Sequence, residues 1–185
     1  MGAIRFAPPD VDEAAWLNSG GVDWLTGAQL EERIRILVAN RSDGRMDTNQ
    51  GHYTLPGAQT KTALRFDPVR NRWGIPNGSE PTNRFLKPST PGFDHQVWEE
   101  HFCLQLAKAV ELDAVNTEVI QLAGHDILLV DLYDRTTDES GSLRRLHQED
   151  ACQALGVMPE HKYEAATSAR KSRGPGIQEL IQLAG

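Results

Sequence analysis

The sequence predicts an α+β fold, an antiparallel sheet carrying a helix, and three observations predict it. Short β-like pieces at ALRF (63–66), RWGI (72–75) and RFLK (84–87) are separated by the turn signals PVRN and PNGSEP, the pattern of a meander. Between His95 and Leu112 the pattern becomes helical. Two more strands follow, Thr117–Leu122 and the nearly continuous apolar run Ile127–Tyr133, joined through AGHD.

Each element has its own signal. Thr26 is an N-cap for a helix reaching Asn40, with Leu30, Ile34 and Leu37 at helical spacing and SDG ending it. In the 95–112 helix, Trp98, Phe102, Leu106 and Val110 form one stripe, with Glu99, Glu100, Gln105 and Lys108 largely off it, the pattern of an amphipathic helix. HQEDACQALG reads as a short helix ended by Gly156, and GPGIQELIQLAG as the start of another. There are no internal repeats, and the organisation expected is a helical segment at 1–50, a lobe at 51–135 and the beginning of a helical lobe at 136–185.

Composition narrows the function classes. At 39% hydrophobic and 24% charged residues the chain has ordinary globular usage, and no apolar run approaches the roughly 18 residues that a membrane span needs. MGAIRFAPPD lacks a signal-peptide core, which predicts a cytoplasmic protein. Cys103 and Cys152 sit among apolar neighbours and are expected to be buried, reduced thiols. A net charge of −7 argues against direct DNA binding, although Arg144, Arg145, Arg170, Lys171 and Arg173 make the last third locally basic.

Four places could carry chemistry. In Leu55-Pro-Gly-Ala-Gln-Thr-Lys61, backbone N–H groups and one lysine could converge on phosphate oxygens, or the segment is an ordinary turn; it fits neither the P-loop nor the dinucleotide pattern. Lys87 ends a strand and Glu100 lies on the next helix. They could form the lysine–glutamate pair that kinases use, or be two surface charges that never meet. Val130–Arg135 is either a hinge offering backbone groups to an adenine edge or a strand leaving the core. His147, Glu149 and Asp150 suit a helix's first turn better than a catalytic cluster. No metal-ligand spacing is visible.

Together these segments resemble the HipA family of serine/threonine kinases, the toxin halves of bacterial toxin–antitoxin pairs. The resemblance rests on TLPGAQTKTAL (54–64), IPNGSEPTNRFLK (75–87), EHFCLQLAKA (100–109), LLVDLYDR (128–135), RLHQEDACQALG (145–156), KYE (162–164) and GPGI (174–177). It implies a protein-kinase-like amino lobe, a twisted antiparallel sheet plus helix, followed by the beginning of a helical carboxy lobe. It further implies ATP-dependent phosphorylation of protein serine or threonine, with ATP and Mg2+ as cofactors.

By that resemblance Pro56, Gly57, Ala58, Gln59, Thr60 and Lys61 would close over the ATP phosphates, Lys87 would be the strand lysine and Glu100 its positioning partner. Asp131, Leu132 and Tyr133 would be the adenine-facing hinge, where the family commonly shows Glu, any residue, Phe. Thr54 stands where the family carries a serine whose phosphorylation expels the loop. The implied partners are a helix-turn-helix antitoxin of HipB type and a protein substrate such as an aminoacyl-tRNA synthetase. The family's catalytic aspartate, its neighbouring asparagine and its metal-binding aspartate follow the GGPG-type segment, so no catalytic or metal-binding residue is expected in these 185 residues. AATSARKSR before GPGI also departs from the family spacing. The expectation is an ATP-binding fragment unable to transfer phosphate alone. The alternative is a non-catalytic interaction module, or a split-kinase subunit that binds an antitoxin or a separate carboxy lobe.

Overall fold

The computed structural model describes residues 9–12, 15, 19–39, 59–90, 92–158, 161 and 174–184. The chain divides into two compact units, Ala7–Arg144, and Met1–Phe6 with Arg145–Gly185. In the larger unit β1 (Gly21–Trp24) precedes α1 (Gly27–Ala39). There follow β2 (Thr62–Asp67), β3 (Arg72–Asn77), β4 (Arg84–Pro88), α2 (Gln96–Ala109), β5 (Thr117–Leu122) and β6 (His125–Asp131). The six strands form one sheet in the order β1-β3-β2-β4-β6-β5, and every pairing is antiparallel.

Strand alternation gives this sheet two covered faces. In β4 and β6 the register sets Leu86 beside Leu129 and Lys87 beside Leu128, so neighbours across the ladder share a face. Leu64, Leu86, Ile127 and Leu129 pack on Leu30, Ile34 and Leu37 of α1, which are the three positions whose helical spacing marked them in the sequence. Leu128 and Val130 turn the other way, onto Val97 of α2, with Phe85, Val115 and Val119 alongside. Coverage on both sides explains why β6 is an unbroken apolar run rather than an alternating one.

Local chemistry fixes the element ends. Thr26 Oγ1 accepts from Gln29 N–H at 3.3 Å while Gln29 Oε1 accepts from Thr26 N–H at 2.8 Å, a reciprocal capping box at the start of α1. β1 has no alternation strong enough to mark it in the sequence; it is a strand because it pairs with β3 from Gly21↔Asn77 to Trp24↔Gly74. That pairing demands glycine at position 74, where a Cβ would lie 2.3 Å from Val22 Cγ1. Gly78, at φ +56 in the β3–β4 turn, would place a Cβ 1.8 Å from the Ser19 carbonyl oxygen.

The sequence pattern leaves the direction of the α2 stripe open, and one expectation, that of buried cysteines, is corrected. The stripe of α2 faces outward: Trp98, Phe102, Leu106 and Val110 are 49%, 66%, 51% and 60% exposed, and Val97 is the helix's buried residue. The reason is that polar groups dock the helix. Glu100 meets Lys87, His101 Nδ1 and Gln105 Nε2 meet Thr117 Oγ1 at 2.8 and 3.3 Å, and Lys108 meets Asn116. The cysteines are free but not buried; Cys103 is exposed beside that outward stripe and Cys152 is half-buried.

A two-stranded ribbon joins β7 (Arg135–Thr137) to β8 (Leu143–Arg145). In the smaller unit, α3 (Ala151–Ala154) starts at Asp150, whose side chain accepts from Gln153 N–H at 2.8 Å in a second capping box. The acidic group of HQED is therefore a cap, and His147 Nε2 stands 3.6 Å from Glu149 Oε1 at the surface. Gly156 at φ +65 ends that helix. α4 (Ile177–Ala184) follows GPG. Among the described residues no helix is long and apolar enough to cross a membrane.

Ile34 has no exposed surface and joins α1 to β2, β4 and β6. Ile34→Ala is expected to destabilise the larger unit by about 2–5 kcal/mol, seen as a lower denaturant midpoint in equilibrium unfolding. Val69→Ala, at a side chain 90% exposed, is expected to move the midpoint hardly at all in the same experiment.

Candidate functional site

Lys87 points from β4 to the sheet face that α2 covers, because Leu86 before it points to α1. Val97 anchors α2 against Leu128 and Val130 on that face. Glu100 follows Val97 by three residues and so lies on the same side of the helix. Lys87 Nζ donates to Glu100 Oε1 at 2.5 Å, with the two side chains 17% and 31% exposed. A pair this sheltered is screened less than a surface pair, and loss of either member leaves a partly desolvated charge.

Lys61 belongs to the same place. Burial lowers its pKa from the ordinary 10.5, the nearby Lys87 ammonium lowers it further, and the Glu100 carboxylate partly opposes both. The Lys61 and Lys87 ammonium groups thus both feel the Glu100 carboxylate, and each other, at one place on the sheet. Gln59 is tied in by its side-chain Nε2, which donates to the Pro88 carbonyl at 3.3 Å, one residue beyond Lys87. Thr60 lies between Gln59 and Lys61. Thr54, Pro56, Gly57 and Ala58 lie outside the described residues, as does the KYE segment.

The segment after β6 is placed differently. Asp131 N–H donates to the Asn116 carbonyl at 3.0 Å and Leu132 N–H to the Asn83 carbonyl at 2.9 Å, so two backbone donors of this segment are already committed. The Asp131 carboxylate accepts from Arg84 Nε at 2.6 Å. Tyr133 is 71% exposed. Asp131, Leu132 and Tyr133 line a cleft of about 760 Å³ together with Phe66, Asn83 and Arg84, and neither Lys87 nor Glu100 reaches it. The register explains this, since Arg84 and Asp131 share the α1 face and Lys87 the opposite one. Lys61, Lys87 and Glu100 are therefore brought together, while the hinge side chains stand apart from them.

Two residues that matter here carry no motif. Asn83 closes the gap where the β2–β4 ladder ends, its Oδ1 accepting from Phe66 N–H at 2.7 Å and its Nδ2 donating to the Phe66 carbonyl at 3.0 Å. With its backbone bonds to Leu64 and Leu132, it ties β2 to the segment after β6. Arg33 of α1 donates through Nε to Thr62 Oγ1 at 3.3 Å, at the residue after Lys61. The NR dipeptide in a polar stretch would have been the only hint of Asn83. Among the described residues no three His, Cys, Asp or Glu side chains are grouped to hold a metal ion.

Comparison with known proteins agrees on one family. Residues 53–184 match the HipA-like C-terminal domain. A putative kinase of Sinorhizobium fredii, Y4mE, is 33% identical over 185 residues, covering 98% of this chain and 41% of that protein. The serine/threonine-protein kinase toxin HipA of Shewanella oneidensis is 34% identical over 74 residues, covering 39% of this chain and 17% of the toxin. The solved complex of Shewanella oneidensis HipA, HipB and operator DNA matches at a TM-score of 0.74 and 23% identity, covering 99% of this chain and 42% of that one, a likeness of fold. The chain spans about two fifths of the length of the relatives that it matches nearly end to end. With that domain matched over most of its residues, the chain belongs to the HipA family of kinase-like proteins.

Proposed function

We propose that this chain forms the nucleotide-gripping portion of a cytoplasmic HipA-type serine/threonine kinase, with its sheet as a kinase-like amino lobe widened by β1 and α1. The observation that carries the reading is the meeting of Lys61 and Lys87 over Glu100. Phosphoryl-transfer sites need a lysine held by a carboxylate so that its ammonium points at phosphate oxygens, and a second cation to share their charge. Both lysines are partly desolvated, which strengthens their attraction for a polyanion.

ATP fits this set through its phosphates. Magnesium does not fit the same residues, because the one carboxylate present is committed to Lys87. When bound with ATP it would supply charge neutralisation through ligands other than these. None of the gathered residues is a base placed to accept a hydroxyl proton, so the role proposed for this set is binding rather than transfer.

Isothermal titration with ATP tests the reading. Saturable binding is expected, and Lys87→Ala should weaken it by about ten- to a hundredfold, the equivalent of one charge-assisted hydrogen bond of roughly 1.5–3 kcal/mol. Absence of binding by the unaltered chain would sink the proposal.

Titration across pH adds a second check. The folded pKa of Lys61 is depressed below 10.5, so the free protein loses that proton before the unfolded chain does, and anion binding must restore it. ATP affinity should therefore be full below the depressed pKa and fall as pH rises through it, with Lys61→Met removing that part of the dependence. An affinity unchanged over this range would count against Lys61 as a phosphate contact.

A second reading, an interaction module for a HipB-type antitoxin or a separate carboxy lobe, is favoured by the outward stripe Trp98, Phe102, Leu106 and Val110. Co-expression with a helix-turn-helix antitoxin should then give a complex that Phe102→Glu disrupts. Equal recovery of the complex with and without that substitution would remove the stripe from the interface.

A further inference from the structure

We propose that Arg33 and Gln59 are positioning residues that clamp the chain on either side of Lys61 and so hold its ammonium against Lys87 and Glu100. The inference rests on the nucleotide-binding reading for its purpose, although not for its geometry.

On one side of Lys61, two residues earlier, the Gln59 side chain is bonded to the Pro88 carbonyl at the end of β4. On the other side, Thr62 opens β2 with its side chain 4% exposed and accepts from Arg33 Nε at 3.3 Å. Alternation sends Thr62 toward α1, on the face of Leu64 and Leu86, and therefore sends Lys61 to the opposite face, where Lys87 and Glu100 stand. The strand start is thus gripped from behind by α1 and the loop end from the side by β4.

Two facts call for such a grip. Lys61 and Lys87 repel each other, so how near the two ammonium groups stand depends on where the chain holds the Lys61 backbone. Arg33, for its part, is partly desolvated, and burial lowers its pKa with no carboxylate opposing the effect. A guanidinium held for one hydroxyl contact does little for stability, since desolvation offsets most of a single neutral acceptor's contribution. What the contact does fix is the position of the residue after Lys61. Preorganising two like charges before the anion arrives is the condition under which they bind it most strongly, because the reorganisation is already done. The sequence offers no motif for this, since Arg33 is one of several charges on an amphipathic helix and lies 29 residues from its partner.

Lys87 from β4 and Glu100 from α2 both act on the Lys61 charge, and its titration reports whether it stays beside them. The experiment is a 13C NMR titration of the lysine side chains in the whole chain, with Arg33→Ala, Thr62→Val and Gln59→Ala compared with the unaltered protein, and Arg33→Lys as the conservative variant. Circular dichroism establishes that each variant is folded, and Gln59→Ala, outside the core, serves if a substitution at β2 unfolds the sheet. The Lys61 resonance should titrate below 10.5 in the unaltered protein and move up toward that ordinary value in Arg33→Ala and Gln59→Ala, as Lys61 leaves Lys87. ATP affinity should fall about three- to tenfold in the same variants, with partial recovery in Arg33→Lys. A folded Arg33→Ala and Gln59→Ala in which Lys61 titrates as in the unaltered chain overturns the clamp. If the unaltered chain binds no ATP, the nucleotide reading fails by itself, and the Lys61 titration still decides the clamp.

Discussion

The ion pair between Lys87 and Glu100 is the contact on which the rest of this arrangement depends. The helix that carries Glu100 presents a polar flank to the sheet, with Val97 as its buried apolar anchor, so it cannot be held by hydrophobic burial in the way α1 is. Its place is set by charged and hydrogen-bonding groups, and the strongest of these is the carboxylate that meets the strand lysine at 2.5 Å. Helix position and lysine position are therefore one variable. If α2 shifts, Lys87 loses its partner, and the balance of charge around Lys61 changes with it.

The two faces of the sheet divide the labour. On one face α1 supplies leucine and isoleucine at helical spacing, and stability resides there. On the other, the apolar cluster is small and the remaining contacts are ionic or polar, which is the face where the lysines gather. Rigid packing on one side and adjustable polar contacts on the other would suit the phosphate site proposed above. The cleft at the end of β6 sits beyond this division, lined by Arg84 and Asp131 already paired with each other.

Much of the fold was legible because its signals are local. Leu30, Ile34 and Leu37 share a spacing, Thr26 and Asp150 are capping residues by chemistry, and β5 and β6 are bounded by turn residues. What periodicity does not carry is direction. The stripe from Trp98 to Val110 is a real feature of the sequence, yet nothing in it says whether it faces the sheet, and here specific polar pairs across the sheet outweigh it. The same blindness misplaced Cys103. β1 was illegible for another reason, since four residues acquire strand character only from partners distant in the sequence, from Gly21↔Asn77 to Trp24↔Gly74. In the site, Lys61, Lys87 and Glu100 could be named from resemblance to a family, while Arg33 and Asn83 act through contacts that no short pattern encodes.

The close passage of Ser19 over Gly78 has a consequence for how this region can vary. A side chain at 78 would collide with backbone rather than with a movable neighbour, and its φ of +56 disfavours any L residue even in open space. The segment entering β1 and the turn leaving β3 therefore constrain each other as two backbones in contact, with no side chain able to absorb a change. Substitution at that glycine is tolerable only in a chain that gives up the crossing, so across related sequences the residue at this turn serves as a marker of whether the first strand is docked.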